Sequence, residues 1–220
     1  MKLLLIGGSY FLGRVFALEA EKAGHEVSVF NRGSRPLGKS GIREFKGDRH
    51  EVSSLAVTGE ETFDAVIDFC AYQEGDIEKV FSGIGRRAGQ YIFVSTADVY
   101  RRQVGYIKDE STPFEERRIS GMAGEYISGK VALEKELVNC SIRWGVPYTS
   151  VRPVMIYGPY NYAPRESLFA RLAAEDCPVP YPADASGRWQ FIYVKDAVLM
   201  MLALCGNSEA YGSAFNLCDS

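Results

Sequence analysis

The sequence predicts an α/β fold: a doubly wound, open parallel sheet with helices on both faces and a small, incomplete excursion late in the chain. Three observations carry this. Short apolar runs alternate with amphipathic stretches from the first residue onward. The stretches between runs are long enough for the helical crossovers that parallel strands need. A glycine-rich turn joins the first run to the first amphipathic stretch.

Lys2–Ile6 reads as a buried strand, a continuous apolar run stopped by Gly7 and Gly8. Over residues 11–23, Leu12, Phe16, Ala20 and Ala23 recur at helical spacing with Glu19, Glu21 and Lys22 outward, and Gly24 supplies the stop. Residues 26–30 form the second strand, and a third precedes Gly47. Further strands are expected over 65–69, 91–95 and 148–151, with helices over 74–87 and 125–144. From 158 to 187 the texture changes, with prolines at 159, 164, 178, 180 and 182 around a short helical piece at 167–174. Helix and strand return over 191–205 and 214–217. The organisation expected is a core over 1–157, an irregular segment over 158–190, and a return to the core over 191–220.

The 220 residues suit one large domain, and 46% hydrophobic with 24% charged residues exclude a disordered or collagen-like chain. A net charge of −3 provides no global field for nucleic acid or an anionic membrane surface. The opening apolar run is too brief for a signal-peptide core, and the run over 197–205 falls short of the ~20 residues of a membrane span. Five scattered cysteines without a CxxC fit free thiols in a reducing compartment, so a soluble cytoplasmic protein is expected. His25 and His50 have no partners at metal-ligand spacing, and no metal site is expected. No GxSxG elbow occurs, which argues against serine hydrolysis.

After the first strand comes Gly7-Gly8-Ser9-Tyr10-Phe11-Leu12-Gly13. Gly7 permits the tight turn and Gly13 close helix–sheet contact, while amide groups at the helix start point at a pyrophosphate. The middle glycine of the usual three is absent and Tyr10 takes its place. Ser9, Tyr10, Phe11 and Leu12 are therefore expected around a bound dinucleotide. After the second strand stands Asn31-Arg32-Gly33-Ser34-Arg35, where NAD enzymes usually place a carboxylate for the ribose hydroxyls. Guanidinium groups grip a 2′-phosphate, so the residues favour NADP, with NAD as the alternative. Asp48, after Gly47, is placed against adenine or in an ordinary turn.

Tyr126-Ile127-Ser128-Gly129-Lys130 lies on the long helical stretch, so the phenol and the ammonium, four residues apart, share a face. A nearby cation stabilises phenolate and brings a tyrosine closer to acid/base work at neutral pH. Thr96, after the strand over 91–95, is placed to hydrogen-bond the same substrate oxygen.

Together with STADVY at 95–100, RPVMIYGP at 152–159 and QFIYVKDA at 190–197, these pieces make the chain resemble an extended or atypical short-chain dehydrogenase/reductase of the NAD-dependent epimerase/dehydratase family. The resemblance implies a Rossmann-type NAD(P)-binding core, a partial substrate-binding segment over 158–190, and a chain that ends before the family's usual C-terminal lobe. It assigns Tyr126 as acid/base, Lys130 as partner of the nicotinamide ribose and the tyrosine, and Thr96 as the usual Ser/Thr. It also implies Ala71 beside the nicotinamide-side ribose and Arg152 in a stretch packing by the nicotinamide.

The implied activity is hydride transfer on a hydroxyl or carbonyl substrate such as a nucleotide sugar, in a reductase, epimerase or dehydratase, with a homodimer possible. Tyr10 and Phe30-Asn31-Arg32-Gly33 also resemble a subgroup that includes the chloroplast stem-loop-binding RNA-binding proteins. RNA binding through Arg86-Arg87, Arg101-Arg102 and Arg117-Arg118, with Tyr100 and Tyr106 to stack bases, is therefore a second reading. A catalytically silent, NADP-sensing regulator is a third.

Overall fold

The computed structural model describes residues 1–102, 107–163, 166–179, 183 and 189–219. In chain order the sheet strands are β1 (Lys2–Ile6), β2 (Glu26–Asn31), β3 (Ile42–Lys46), β4 (Ala65–Asp68), β5 (Tyr91–Val94), β6 (Tyr148–Pro153) and, after two short strands described below, β9 (Ser213–Leu217). Among the described residues they pair in the order β3-β2-β1-β4-β5-β6-β9, every neighbour parallel. This is the Rossmann-type, doubly wound α/β arrangement expected from sequence. The strand order reverses between β1 and β4, the chain winding outward to β3 on one side and to β9 on the other, which leaves a crevice at their carboxyl ends.

Strand alternation explains why both faces are covered. Leu3 and Leu5 join Val15 and Phe16 of α1 (Phe11–Lys22) and Val198 of α5 (Val194–Leu204) in one apolar cluster. Leu4 and Ile6 face the other way, onto Phe81 of α2 (Asp76–Ile84) and Leu133 and Leu137 of α3 (Met122–Trp144). A central parallel strand buried on both sides is apolar along its buried length, as β1 is from Leu3 to Ile6.

The helix ends follow local chemistry. At the carboxyl end of α1, Gly24 N–H donates to Glu21 O and His25 N–H to Ala20 O, a paired closure that needs Gly24 at φ 83°. The helix expected over 74–87 is instead α2 followed by a 3₁₀ turn, because Gly85 takes φ 53° and breaks the spiral. The crossover between β3 and β4 is a 3₁₀ stretch, Val52–Thr58, which the sequence did not announce.

Short strands β7 (Met155–Tyr157) and β8 (Phe191–Tyr193) pair parallel to one another outside the main sheet. They bring together the two ends of the irregular segment, which carries α4 (Glu166–Ala174).

Gly13 is where helix meets sheet. A Cβ there would lie 2.9 Å from Gly8 Cα and 3.2 Å from Gly7 O, both backbone atoms. Gly13→Ala is therefore expected to push α1 off the turn and cost about 1–3 kcal/mol of stability, as overpacking does. Denaturant unfolding of the variant checks the loss, and a stability equal to the parent would contradict the close approach.

Candidate active site

A cleft of about 580 Å³ opens at the carboxyl ends of β1 to β5. Its floor is the turn containing Gly7, Ser9, Tyr10, Phe11, Leu12 and Gly13. Tyr10 is the N-cap residue of α1 but its side chain accepts no hydrogen bond from the helix amides, and the first turn contains no carboxylate. The leading amide groups of α1 thus lack an internal partner of the usual kind and lie at the positive end of the helix dipole. Tyr10 itself is extended, with φ −123°, so the backbone asks no glycine of it. The left-handed geometry falls on Gly7 (φ 84°) and on Phe11 (φ 29°), a strained value for a side-chain-bearing residue.

Two loops build one side wall. After β2, Asn31 Oδ1 accepts from Gly33 N–H at 2.6 Å, and Glu44 accepts from Leu37 and Gly38 N–H, which shape the loop. Asn31, Arg32, Ser34 and Arg35 face the cleft. After β3, Asp48 also lines it, and its Oδ1 accepts from His50 N–H at 2.9 Å, so the carboxylate serves the turn as well.

Behind Val94 and Tyr72, which line the cleft, stand the lysine and the tyrosine. Lys130 is 2% exposed, and its Nζ donates to the carbonyl oxygens of Ala71 and Val94, each at 2.8 Å. It thereby ties the chain just past β4 to the end of β5. The ammonium also faces the rings of Tyr72 and Phe93 at 4.8 Å and Tyr126 at 5.9 Å. Burial lowers its pKa to about 8, against the upward pull of Asp68. Tyr126 is 38% exposed and lies 6.4 Å, ring to ring, from Tyr72, which lines the cleft.

Thr96 is buried, and its Oγ1 accepts from Asp98 N–H at 3.2 Å, leaving the hydroxyl proton to donate elsewhere. The 3₁₀ turn that it caps, Ala97–Val99, packs on Ile127 and Val131 of α3, beside Tyr126. Ala71 is fully buried and contributes its carbonyl. Cleft, tyrosine and lysine are thus contiguous through Val94 and Tyr72.

The Arg152 guanidinium is held by partners within the protein. It makes a two-pronged pair with Glu134, at 2.8 and 3.1 Å, and donates to Tyr100 Oη at 3.0 Å. Glu134 lies on the inner face of α3 and would be a buried, unpaired charge without it.

A second buried network was not foreseen. Asp68, at the end of β4, has no exposed surface and accepts from Arg49 at 2.6 Å, Tyr91 Oη at 2.5 Å and Cys70 N–H at 3.0 Å. Arg49 also donates to Asp76 O at 2.7 Å and lines the cleft. Burial by itself would raise the Asp68 pKa, but the Arg49 charge prevails and holds it below the usual range. Cys70 beside them is pushed up to about 11, first by burial, and stays a thiol at neutral pH. The one available signal was an acidic residue ending the apolar run Ala65-Val66-Ile67.

Among the described residues no group of three acidic, histidine or cysteine side chains is arranged to hold a metal ion, and no helix is long and apolar enough to cross a membrane. The family model for the NAD dependent epimerase/dehydratase family matches residues 78–218.

The chain belongs to the NAD dependent epimerase/dehydratase family.

Among relatives, the chloroplast stem-loop binding protein of 41 kDa b of Arabidopsis thaliana is 31% identical over 98% of this chain. The chain spans 58% of that relative's length. Solved structures share the fold. A Thermus thermophilus UDP-glucose 4-epimerase in complex with NAD superposes with a TM-score of 0.80 at 18% identity, over 99% of this chain and 78% of that one. A Thermotoga maritima UDP-glucose 4-epimerase with UDP-glucose gives 0.83 at 18%, over 99% and 77%. An epimerase from Methanothermobacter thermautotrophicus gives 0.78 at 23%, over 99% and 71%. In this epimerase/dehydratase chain, the cleft at the β1–β4 reversal is the place the fold reserves for a ligand.

Proposed function

We propose that the chain is an NADP-dependent oxidoreductase or epimerase acting on a nucleotide sugar or related hydroxyl or carbonyl substrate, with Tyr126 as acid/base. The observation that carries this reading is the buried Lys130 ammonium, fixed beside the Tyr126 ring by two carbonyls, one of them from Val94 of the cleft wall. The turn fits a dinucleotide: the amides at the start of α1 are uncapped, and Gly7 packs so closely on Cys70 that a Cβ would lie 2.6 Å from its Sγ, which keeps the turn tight. When bound, a nicotinamide dinucleotide supplies hydride acceptance and donation.

The residues then divide the work. The first-turn amides of α1 hold the pyrophosphate, and Arg32 and Arg35 take the 2′-phosphate. Lys130 holds the inner ribose and biases Tyr126 toward phenolate. Tyr126 moves the proton of the substrate hydroxyl, and Thr96 donates to the same oxygen. Incubating the protein and NADP with a panel of nucleotide sugars and simple carbonyl compounds tests this by absorbance of the reduced nicotinamide and by product analysis. Tight binding with no turnover on any member would favour the sensing regulator instead.

Two expected results concern the cofactor. NADP should bind about 10–100-fold more tightly than NAD, the worth of charge-assisted hydrogen bonds to a phosphate, and Arg32→Glu should erase most of that margin. Parallel titrations check it, and equal affinities would contradict it. The second result is a pH dependence. Lys130 titrates near 8 in the free protein, and a ligand accepting its remaining N–H raises that value. Above pH 8, binding then takes up a proton, so affinity falls as pH rises, approaching about tenfold per unit. Below pH 7 it should be flat, and in Lys130→Met flat throughout. Calorimetry in buffers of different ionisation enthalpy measures the proton directly.

RNA binding has the Arabidopsis relative in its favour. The surface supports it less. Tyr100 is buried, with its hydroxyl bonded to Asn216, and has no face for a base. Arg117 is paired with Glu115, and Arg87 donates to the carbonyls of Gly59, Glu61 and Gly83. Tyr106 lies outside the described residues.

A further inference from the structure

We propose that Tyr10, standing where dinucleotide turns usually have glycine, is a positioning residue for cofactor specificity: its ring holds the Arg35 guanidinium in place for the 2′-phosphate of NADP. The proposal rests on the reading that the loop after β2 takes the adenosine-side ribose, and assigns to a residue of the other loop the task of arming it.

The Arg35 Cζ lies 4.3 Å from the centroid of the Tyr10 ring, within the range of a cation–π contact. Among the described residues Arg35 has no ion pair or hydrogen bond, although Glu44 and Asp48 stand on the neighbouring strand and loop. A guanidinium stacked by its face keeps its N–H groups, which radiate from its edge, free to bond a phosphate. Tyr10 and Arg35 both line the cleft, together with Arg32 and Ser34.

The ring in turn is fixed. Tyr162 meets it edge-on at 5.4 Å and also meets Phe11 at 6.3 Å, so a segment from far along the chain braces the phosphate turn. Tyr160 in that segment adopts φ 66°, and Phe11 φ 29°. Such values in side-chain-bearing residues persist where surroundings hold them, and they concentrate at ligand clamps. Arginine loses much rotamer freedom when it binds an anion from solution. Held on the ring beforehand, Arg35 has less to lose, and only a ligand carrying the 2′-phosphate gains by it. NAD, with hydroxyls there, gains nothing.

The test measures dissociation constants for NADP and NAD on the parent, Arg35→Ala, Tyr10→Phe, Tyr10→Leu and Tyr10→Ala. The ratio of the two constants cancels any damage that both cofactors feel alike. Arg35→Ala should lower the preference for NADP about tenfold, and Tyr10→Ala and Tyr10→Leu should lower it several-fold, while Tyr10→Phe keeps it. Tyr10→Leu retains apolar bulk without a π face, which guards against a fold defect in the alanine variant. If Arg35→Ala loses the preference but Tyr10→Leu and Tyr10→Ala keep it, the positioning role is wrong and the NADP reading stands. A preference unchanged in Arg35→Ala, or lost equally in Tyr10→Phe, also overturns the proposal. A parent protein with no preference for NADP overturns both.

Discussion

Tyr126→Phe should lower turnover about 10²–10⁴-fold, the usual contribution of a positioned acid/base, while dinucleotide affinity stays within about threefold. The reason lies in how the two halves of the pair are held. Lys130 is fixed by the carbonyls of Ala71 and Val94 and does not depend on the phenol for its position. The cleft is lined by other residues, so removing one oxygen atom from Tyr126 leaves its walls unchanged. The side chain is more than a third exposed, and stability should shift by less than about 1 kcal/mol. Turnover and affinity would therefore separate in this variant, whereas in Lys130→Met they should fall together. Single-turnover kinetics beside a binding titration make the distinction, and a variant with the parent rate would remove Tyr126 from the chemistry.

Arg49→Met should be the most destabilising single change near the site, at about 3–5 kcal/mol, because it leaves Asp68 buried with no counter-charge. Tyr91 and the Cys70 amide would still bond the carboxylate but cannot neutralise it. Adding Asp68→Leu should recover much of the loss, since a buried pair replaced by apolar groups is often neutral. The pH dependence has a definite sign. In the parent, Asp68 has a depressed pKa, so its contribution is present above the ordinary carboxylate range and is lost as pH falls through the depressed value. In Arg49→Met the carboxyl protonates readily, so the deficit relative to the parent shrinks on acidification. Chemical denaturation of the four proteins of the cycle at neutral and acid pH measures both effects. A single variant as stable as the parent would show that the pair is not a buried charge unit.

What could be read from sequence was what local pattern encodes. The strand Lys2–Ile6, the helix opened by Phe11 and closed at Gly24, and the shared face of Tyr126 and Lys130 all follow from periods of two and 3.6 with their stop signals. The family could be read from separated motifs in the right order. Long-range pairing was less legible. Arg152 stands in a motif that implies a place beside the nicotinamide, yet Glu134 on another element claims its guanidinium. Arg49 and Asp68 are 19 positions apart and become partners only when β4 is buried beside the loop after β3. The stacking of Arg35 on Tyr10 joins two loops, and no periodicity announces it.

The most direct measurement is a crystal structure with NADP bound. The pyrophosphate should lie against the first-turn amides of α1, the 2′-phosphate between Arg32 and Arg35, and the nicotinamide within reach of the Tyr126 hydroxyl. A dinucleotide bound with that hydroxyl turned away from its reactive ring, or a cleft that stays empty at saturating concentrations of both NADP and NAD, would contradict this arrangement.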